Sequence, residues 1–366
     1  MTILTRTDKV QSKAYRLIRP GDVQEVVLEH AVPEGSVVIE PVLGSICHAD
    51  LRYFTGQRRP EALARKLPMA LIHEGIGRVV ASRSPERREG QRVVIVPNLP
   101  GFLLEGSRPE TCCPACRLGV GDNYCHRGRF LGSGTDGIAQ ERLVIPAACA
   151  VPIPDSVPDD FAVLAELCSV SHQAANRVAD RLKRAKRVAV FGDGPVGYLT
   201  AAVLHHVFGL TKERLIVFGA IPEKLNEFTF ATRALVQEFD FSAAERADIA
   251  FECTGGRFSE SAANQAIDLL SPGGALVLMG VTEERVPINT RDVLEKGLTL
   301  YGSSRSSYLD FPPVLKAMEN PSCRETLSRL LPDERTPVRN AENFTAAMNE
   351  AAQHRGWKKT LLEFHW

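Results

Sequence analysis

Four residues far apart in the chain carry side chains that could share one task. Cys47 offers a thiolate, His73 an imidazole nitrogen, and Glu74 and Glu166 carboxylates. A catalytic zinc takes about three such ligands and keeps a further position open. Cys47 and His73 would supply sulfur and nitrogen, and a carboxylate would complete the set. Taken singly, each has a plainer use, because a lone cysteine is usually buried filler. Spacing alone therefore suggests this set without fixing it.

A second cluster is local. Cys112, Cys113, Cys116 and Cys125 fall within one short stretch, while the other five of the nine cysteines are scattered. Met1–Lys13 is polar and charged, without the apolar run of a signal peptide. Clustered cysteines in such a chain point to a metal before a disulfide, and to a reducing cytoplasm. Four thiolates in one loop can close a tetrahedral zinc site. The alternative is four free thiols open to oxidation.

A third pattern is Gly192-Asp193-Gly194-Pro195-Val196-Gly197, directly after the apolar run Arg187–Phe191 and before an apolar helical stretch. Glycines at these three places suit a dinucleotide. They allow the tight turn, the backbone's approach to the pyrophosphate and close helix–strand packing. An NAD site would place an acid at the end of the next strand. The chain there reads Val217-Phe218-Gly219-Ala220, with no acid before Glu223. Gly219 leaves room for a 2′-phosphate and Lys224 is a nearby cation, so NADP(H) is favoured. The competing reading lets Glu223 bind the ribose hydroxyl.

The elements that must hold these residues read as two kinds. The chain has 366 residues, 44% hydrophobic and 24% charged, with 44 basic and 44 acidic side chains. That is globular composition for about two domains. The balanced charge counts against nucleic-acid binding, and no apolar run is long enough to span a membrane. Up to about residue 155 the pattern is of short β-branched runs (37–39, 77–81, 92–96), the first stopped soon after by Pro41. After Pro158, strands near 187–191, 215–218, 248–252 and 275–279 alternate with helices, which predicts a parallel sheet. The expected fold class is α/β. A β-rich domain spans 1–160 and 304–366, and a doubly wound nucleotide-binding domain spans 161–303.

Ser45–Asp50, Ile72-His73-Glu74-Gly75, Gly134-x-Asp136-Gly137, Glu166 and the glycine fingerprint, in that order, resemble the zinc-dependent medium-chain dehydrogenases over nearly the whole chain. The resemblance implies a GroES-like catalytic domain, a Rossmann domain and a zinc in the cleft between them. Arg52–Gly56, Leu67–Gly75, Phe251–Arg257 and Asn289–Ser306 look like ribitol-5-phosphate dehydrogenases. These reduce ribulose 5-phosphate with NADPH for the CDP-ribitol of teichoic acids or capsules. This narrower resemblance implies a sugar-phosphate substrate, a homodimer or homotetramer, and a cytidylyltransferase as pathway partner. Cys47, His73, Glu74 and Glu166 would surround the catalytic zinc. Cys112, Cys113, Cys116 and Cys125 resemble a structural-zinc lobe whose first usual position is here Glu110, so either Cys112 or Glu110 could serve. Alcohol dehydrogenases often relay protons through Ser or Thr and His where this chain has Ala49 and Arg52. The proton must then come from water, a substrate hydroxyl, Glu74 or Tyr53. The substrate phosphate needs cations, and Arg305 leads, with Arg52 and Arg291 behind it. Rival readings are a dehydrogenase of unphosphorylated polyols or secondary alcohols, and a non-catalytic nucleotide-binding relative.

Overall fold

The computed structural model describes residues 9–353 and 356–366, and the stretch Met1–Asp8, part of the polar N-terminus read above, lies outside them. The chain divides into two compact units. One comprises 1–166, 306–319 and 331–366, and the other 167–305 and 320–330.

The first unit is built from antiparallel strands. Arg92–Ile95, Glu74–Ser82, Ser36–Ser45 and Leu361–Phe364 lie side by side in one seven-stranded sheet. Its inner faces are filled by Val37, Ile39, Leu43, Ile76, Val93 and Ile95, all buried. A hairpin, Lys9–Arg19 with Asp22–Ala31, forms a second sheet together with Met69–Ala70. Pro41 does not end the strand as expected. The strand runs on to Ser45 through register shifts at Val38/Ile39 and Pro41/Leu43. A bulge is where a strand tolerates a residue that cannot donate to the ladder. That continuation delivers the chain to Cys47.

The second unit holds six parallel strands. Their spatial order is Thr232–Leu235, Leu215–Gly219, Val188–Phe191, Ala247–Glu252, Leu270–Leu278 and Thr299–Gly302. The order reverses beside the first of these in the chain, Val188–Phe191, which is the doubly wound arrangement. The two outer strands lacked a clear apolar signal. Thr232–Leu235 carries two exposed residues, and Thr299–Gly302 has no fully buried one. The central strands are continuous apolar runs because both faces are covered. Phe191 stacks on Phe218 with ring centroids 4.7 Å apart. Among the described residues no helix is long and apolar enough to cross a membrane.

Candidate active site and metal centres

Strand register assembles the first cluster. Ser45 lies opposite Glu74, so the chain leaving one strand at Cys47 meets His73 at the start of the other. Leu361 also lies opposite Ser45, which brings Lys359 to the same end. Cys47 then caps the helix His48–Phe54. Its backbone N–H donates to Asp50 Oδ2 at 3.0 Å. The other oxygen of Asp50 accepts from His73 Nδ1 at 3.0 Å and from the Ile72 amide at 3.2 Å. Asp50 thus takes the Nδ1 side of the His73 ring, which leaves Nε2 as the nitrogen that can serve a ligand.

Ile72 has φ 70. For a β-branched residue this left-handed backbone costs about 1–3 kcal/mol. The surroundings hold it there. Its carbonyl accepts from the Ile138 amide at 2.7 Å. A side chain at Gly137 would sit 2.3 Å from that carbonyl oxygen, so only glycine fits. The bend turns the next residue, His73, toward Cys47.

Cys47, His73 and Glu74 each bring one ligand atom to within 4.8 Å of the others. Burial pushes the Cys47 thiol up, Glu74 adds to this, and His73 and Lys359 oppose it. Burial works against charge on His73, but Asp50 and Cys47 outweigh it and hold its pKa well above the usual value. Glu74 is fully buried, and Lys359 Nζ lies 2.9 Å from Oε2 and 3.2 Å from Oε1 while also donating to the Ile46 carbonyl at 3.0 Å. Glu166, buried in the first turn of the helix Ala165–Asn176, stands outside the trio. It still feels the trio's charge. Burial raises its carboxyl to about 7 against the pull of His73, with Glu74 adding to the rise.

The four clustered cysteines also converge, with all four sulfurs within 4.8 Å of one another. Cys112 lies 3.7 Å from Cys125 and Cys113 lies 3.4 Å from Cys116. Amides point inward, from Gly101 to Cys125 at 3.3 Å and from His126 to Cys113 at 3.4 Å. The backbone amides of Cys116 and His126 draw Cys113 down to about 6, while burial pushes Cys112 and Cys116 up. Glu110 is exposed and outside this group of four cysteines.

In the second unit the glycine loop follows Val188–Phe191 and opens the helix Pro195–His206, with Gly194 as N-cap and Pro195 in the first turn. A Cβ on Gly197 would lie 2.0 Å from the Gly192 carbonyl oxygen, while one on Gly194 would meet nothing within 4 Å. Val196 follows in the same turn. Asp193 was not among the expected cofactor residues. Its Oδ2 accepts from the amides of Ala220 and Ile221 at 2.7 and 2.8 Å. The room beside Gly219 is therefore taken by a carboxylate from the loop itself. Lys224 and Glu223 lie in the short helix Pro222–Leu225.

The remaining candidates separate. Tyr53 is buried on the helix that Cys47 caps, and its hydroxyl meets Ser133 and Lys66. Arg52 is half-buried on that helix. Arg305 is exposed with φ 61. Arg291 pairs with Glu295 at 2.8 Å on an exposed helical face, the ordinary fate of an i,i+4 pair. Asp50, Lys359, Lys66 and Ser133 were missed. Only Asp50 had a signal, since Cys-x-x-Asp places an acceptor three residues after a helix start.

Comparison with known proteins fits this geometry. Residues 33–155 match the alcohol dehydrogenase GroES-like domain and residues 195–320 the zinc-binding dehydrogenase domain. The ribulose-5-phosphate reductase of Bacillus spizizenii is 37% identical, covering 96% of this chain and 99% of that protein. Ribulose-5-phosphate reductase 1 of Staphylococcus aureus is 35% identical over 96% and 99%. The crystal structure of S. aureus TarJ in complex with NADPH superposes with a TM-score of 0.80 at 31% identity, covering 98% of this chain and all of that one. The chain belongs to the ribulose-5-phosphate reductase family of zinc-binding alcohol dehydrogenases.

Proposed function

We infer that this protein reduces ribulose 5-phosphate to ribitol 5-phosphate with NADPH, reversibly, with zinc at Cys47, His73, Glu74 and Glu166. One observation carries the reading. Half-buried Cys47 converges with buried His73 and Glu74, in a chain similar over nearly its whole length to ribulose-5-phosphate reductases. The converging donor set fits zinc: a thiol, an imidazole oriented by Asp50, and the Glu74 carboxylate. Bound together, zinc and NADPH supply Lewis acidity for the ketone oxygen and a hydride for its carbon. Asp50 orients two ligands at once. Lys359 holds Glu74 in place. The amides opening the helix Pro195–His206 are suited to the pyrophosphate. Arg305, with Arg52 next, is the candidate for the substrate phosphate. Cys112, Cys113, Cys116 and Cys125 hold a second, structural zinc. The enzyme works in the cytoplasm as a homodimer or homotetramer and feeds a cytidylyltransferase.

The test is NADPH oxidation with ribulose 5-phosphate beside ribulose and other keto-sugars. A charge-assisted phosphate contact contributes about 1.5–3 kcal/mol, so the phosphorylated substrate should lead by about one to two orders of magnitude in kcat/KM. Equal rates would make the enzyme a dehydrogenase of unphosphorylated polyols.

A further inference from the structure

Reduction of a ketone needs a proton as well as a hydride, and the positions of the usual relay hold Ala49 and Arg52. Neither delivers a proton at neutral pH. Glu74 is committed to Lys359. Another ionisable group, Tyr53, lies on the helix that Cys47 caps. The Tyr53 hydroxyl lies 3.0 Å from Ser133 Oγ, and Lys66 Nζ donates to both, at 2.9 and 2.8 Å. The Arg58 guanidinium sits 4.8 Å from the Tyr53 ring centroid. The phenol oxygen, Ser133 Oγ and Lys66 Nζ thus form a closed triangle of hydrogen bonds, with Arg58 over the ring.

Two links tie this ring to the cluster at His73. Tyr53 stands three residues after Asp50 on the helix His48–Phe54, so the two share a helical face. Asp50 is the residue bonded to His73. On the other side Gly132, the neighbour of Ser133, lies against the backbone of Ile72, where a Cβ would fall 3.4 Å from the carbonyl oxygen, and Ile72 precedes His73.

Resting on the function proposed above, we propose that Tyr53 gives the proton to the ketone oxygen, with Lys66 and Ser133 as positioning residues. The hydride adds to the carbonyl carbon and the C=O π pair moves to oxygen. That oxygen takes the phenol proton as the O–H bond of Tyr53 breaks. The phenolate left behind is held by the Lys66 ammonium and the Ser133 hydroxyl until water reprotonates it. The sum is ketone, NADPH and one proton giving alcohol and NADP+. The electrostatics agree. Burial works to raise the Tyr53 pKa, yet the hydrogen bonds from Lys66 and Ser133 and the charges of Lys66 and Arg58 bring it below the usual 10.0. Tyr15, Tyr198 and Tyr308 are all pushed the other way by burial.

Two measurements test this. The first is steady-state reduction across pH. A donor must be protonated, so kcat should fall as pH rises through the Tyr53 pKa. Tyr53→Phe should lose about 10²- to 10³-fold in kcat, with KM for NADPH unchanged. Lys66→Met should move the alkaline limb to higher pH. The second needs no turnover: the ultraviolet phenolate difference band of the protein. The first phenolate to form in the wild type should be missing in Tyr53→Phe and shifted upward in Lys66→Met. Tyr53→Phe within threefold of wild-type kcat, or a Lys66→Met titration and limb that do not move, would overturn the proposal. If Tyr53→Phe does not fold, the two Lys66→Met readouts decide. A wild type that ignores ribulose 5-phosphate but reduces another ketone overturns the substrate reading alone, and the same variants are then read on that ketone.

Discussion

The two cysteine sites of the first unit are made in opposite ways. The sulfurs of Cys112, Cys113, Cys116 and Cys125 come from one short loop and find one another through local turns and the amides of Gly101 and His126. Cys47, His73, Glu74 and Lys359 come from three strand ends and meet only because Ser45 faces both Glu74 and Leu361. The local site needs little of the fold and should contribute to it. The assembled site needs all of the fold and contributes reactivity. Removing ligands from each should therefore fail in different ways.

The largest effect falls on the assembled site. Lewis-acid activation is worth several kcal/mol, so Cys47→Ser should cut kcat by about 10³-fold or more while thermal unfolding changes little. Cys113→Ser should do the reverse, lowering Tm and releasing one zinc while leaving kcat within a few-fold. Metal analysis of the wild type should give two zinc ions per chain. One zinc, lost with Cys47, would show that the local cluster is empty and end the contrast.

Lys359→Met comes next. It strands the Glu74 carboxylate in a buried place, and breaking one partner of a buried pair costs about 3–5 kcal/mol. Denaturant unfolding of the zinc-free protein should show that loss, and Lys359→Met with Glu74→Gln should recover part of it. If Lys359→Met unfolds like the wild type, the pair does not hold the strand ends together. Asp50→Asn should cost about 10- to 100-fold in affinity for the metal at the Cys47 site, because the carboxylate behind His73 is gone. Zinc competition against a chelator would measure it, with the metal at Cys113 unaffected.

The same contrast explains what could be read in the sequence. Cys112–Cys125 and the glycine loop are local patterns, and the strand runs around them are apolar enough to recognise. The convergence of Cys47 with His73 depends on register, on a strand that passes Pro41 through a bulge, and on a backbone bend at Ile72 that no propensity suggests. Lys359 sits beside Trp357 and Lys358 in a stretch that reads as an ordinary polar tail. Only its contacts with Ile46 and Glu74, 313 and 285 residues earlier, reveal it. Tyr53 drew notice as a proton route, but Lys66 and Ser133 carry no motif. Only the fold brings both of them to the Tyr53 hydroxyl.

The smallest effect sharpens the comparison in the second unit, where a local motif hides a distant contact. From sequence, an acid at Gly219 would turn the site toward NADH. A Cβ on Gly219, however, would lie 2.7 Å from Asp193 Cβ and 2.8 Å from Asp193 Oδ2. Gly219→Asp would press two carboxylates together and displace the one that caps Ala220 and Ile221. It should weaken both NADPH and NADH rather than exchange them. The informative substitution is Asp193→Asn, which keeps the shape and removes the charge. If the 2′-phosphate lies at this strand end, a like charge about one contact away costs it about 1–2 kcal/mol near the surface. Asp193→Asn should then widen the preference for NADPH over NADH by about fivefold to thirtyfold, read as the ratio of kcat/KM values at low salt. The widening should shrink as salt screens the repulsion. An unchanged ratio would mean that the phosphate lies away from Gly219, and that the missing acid there does not set the cofactor.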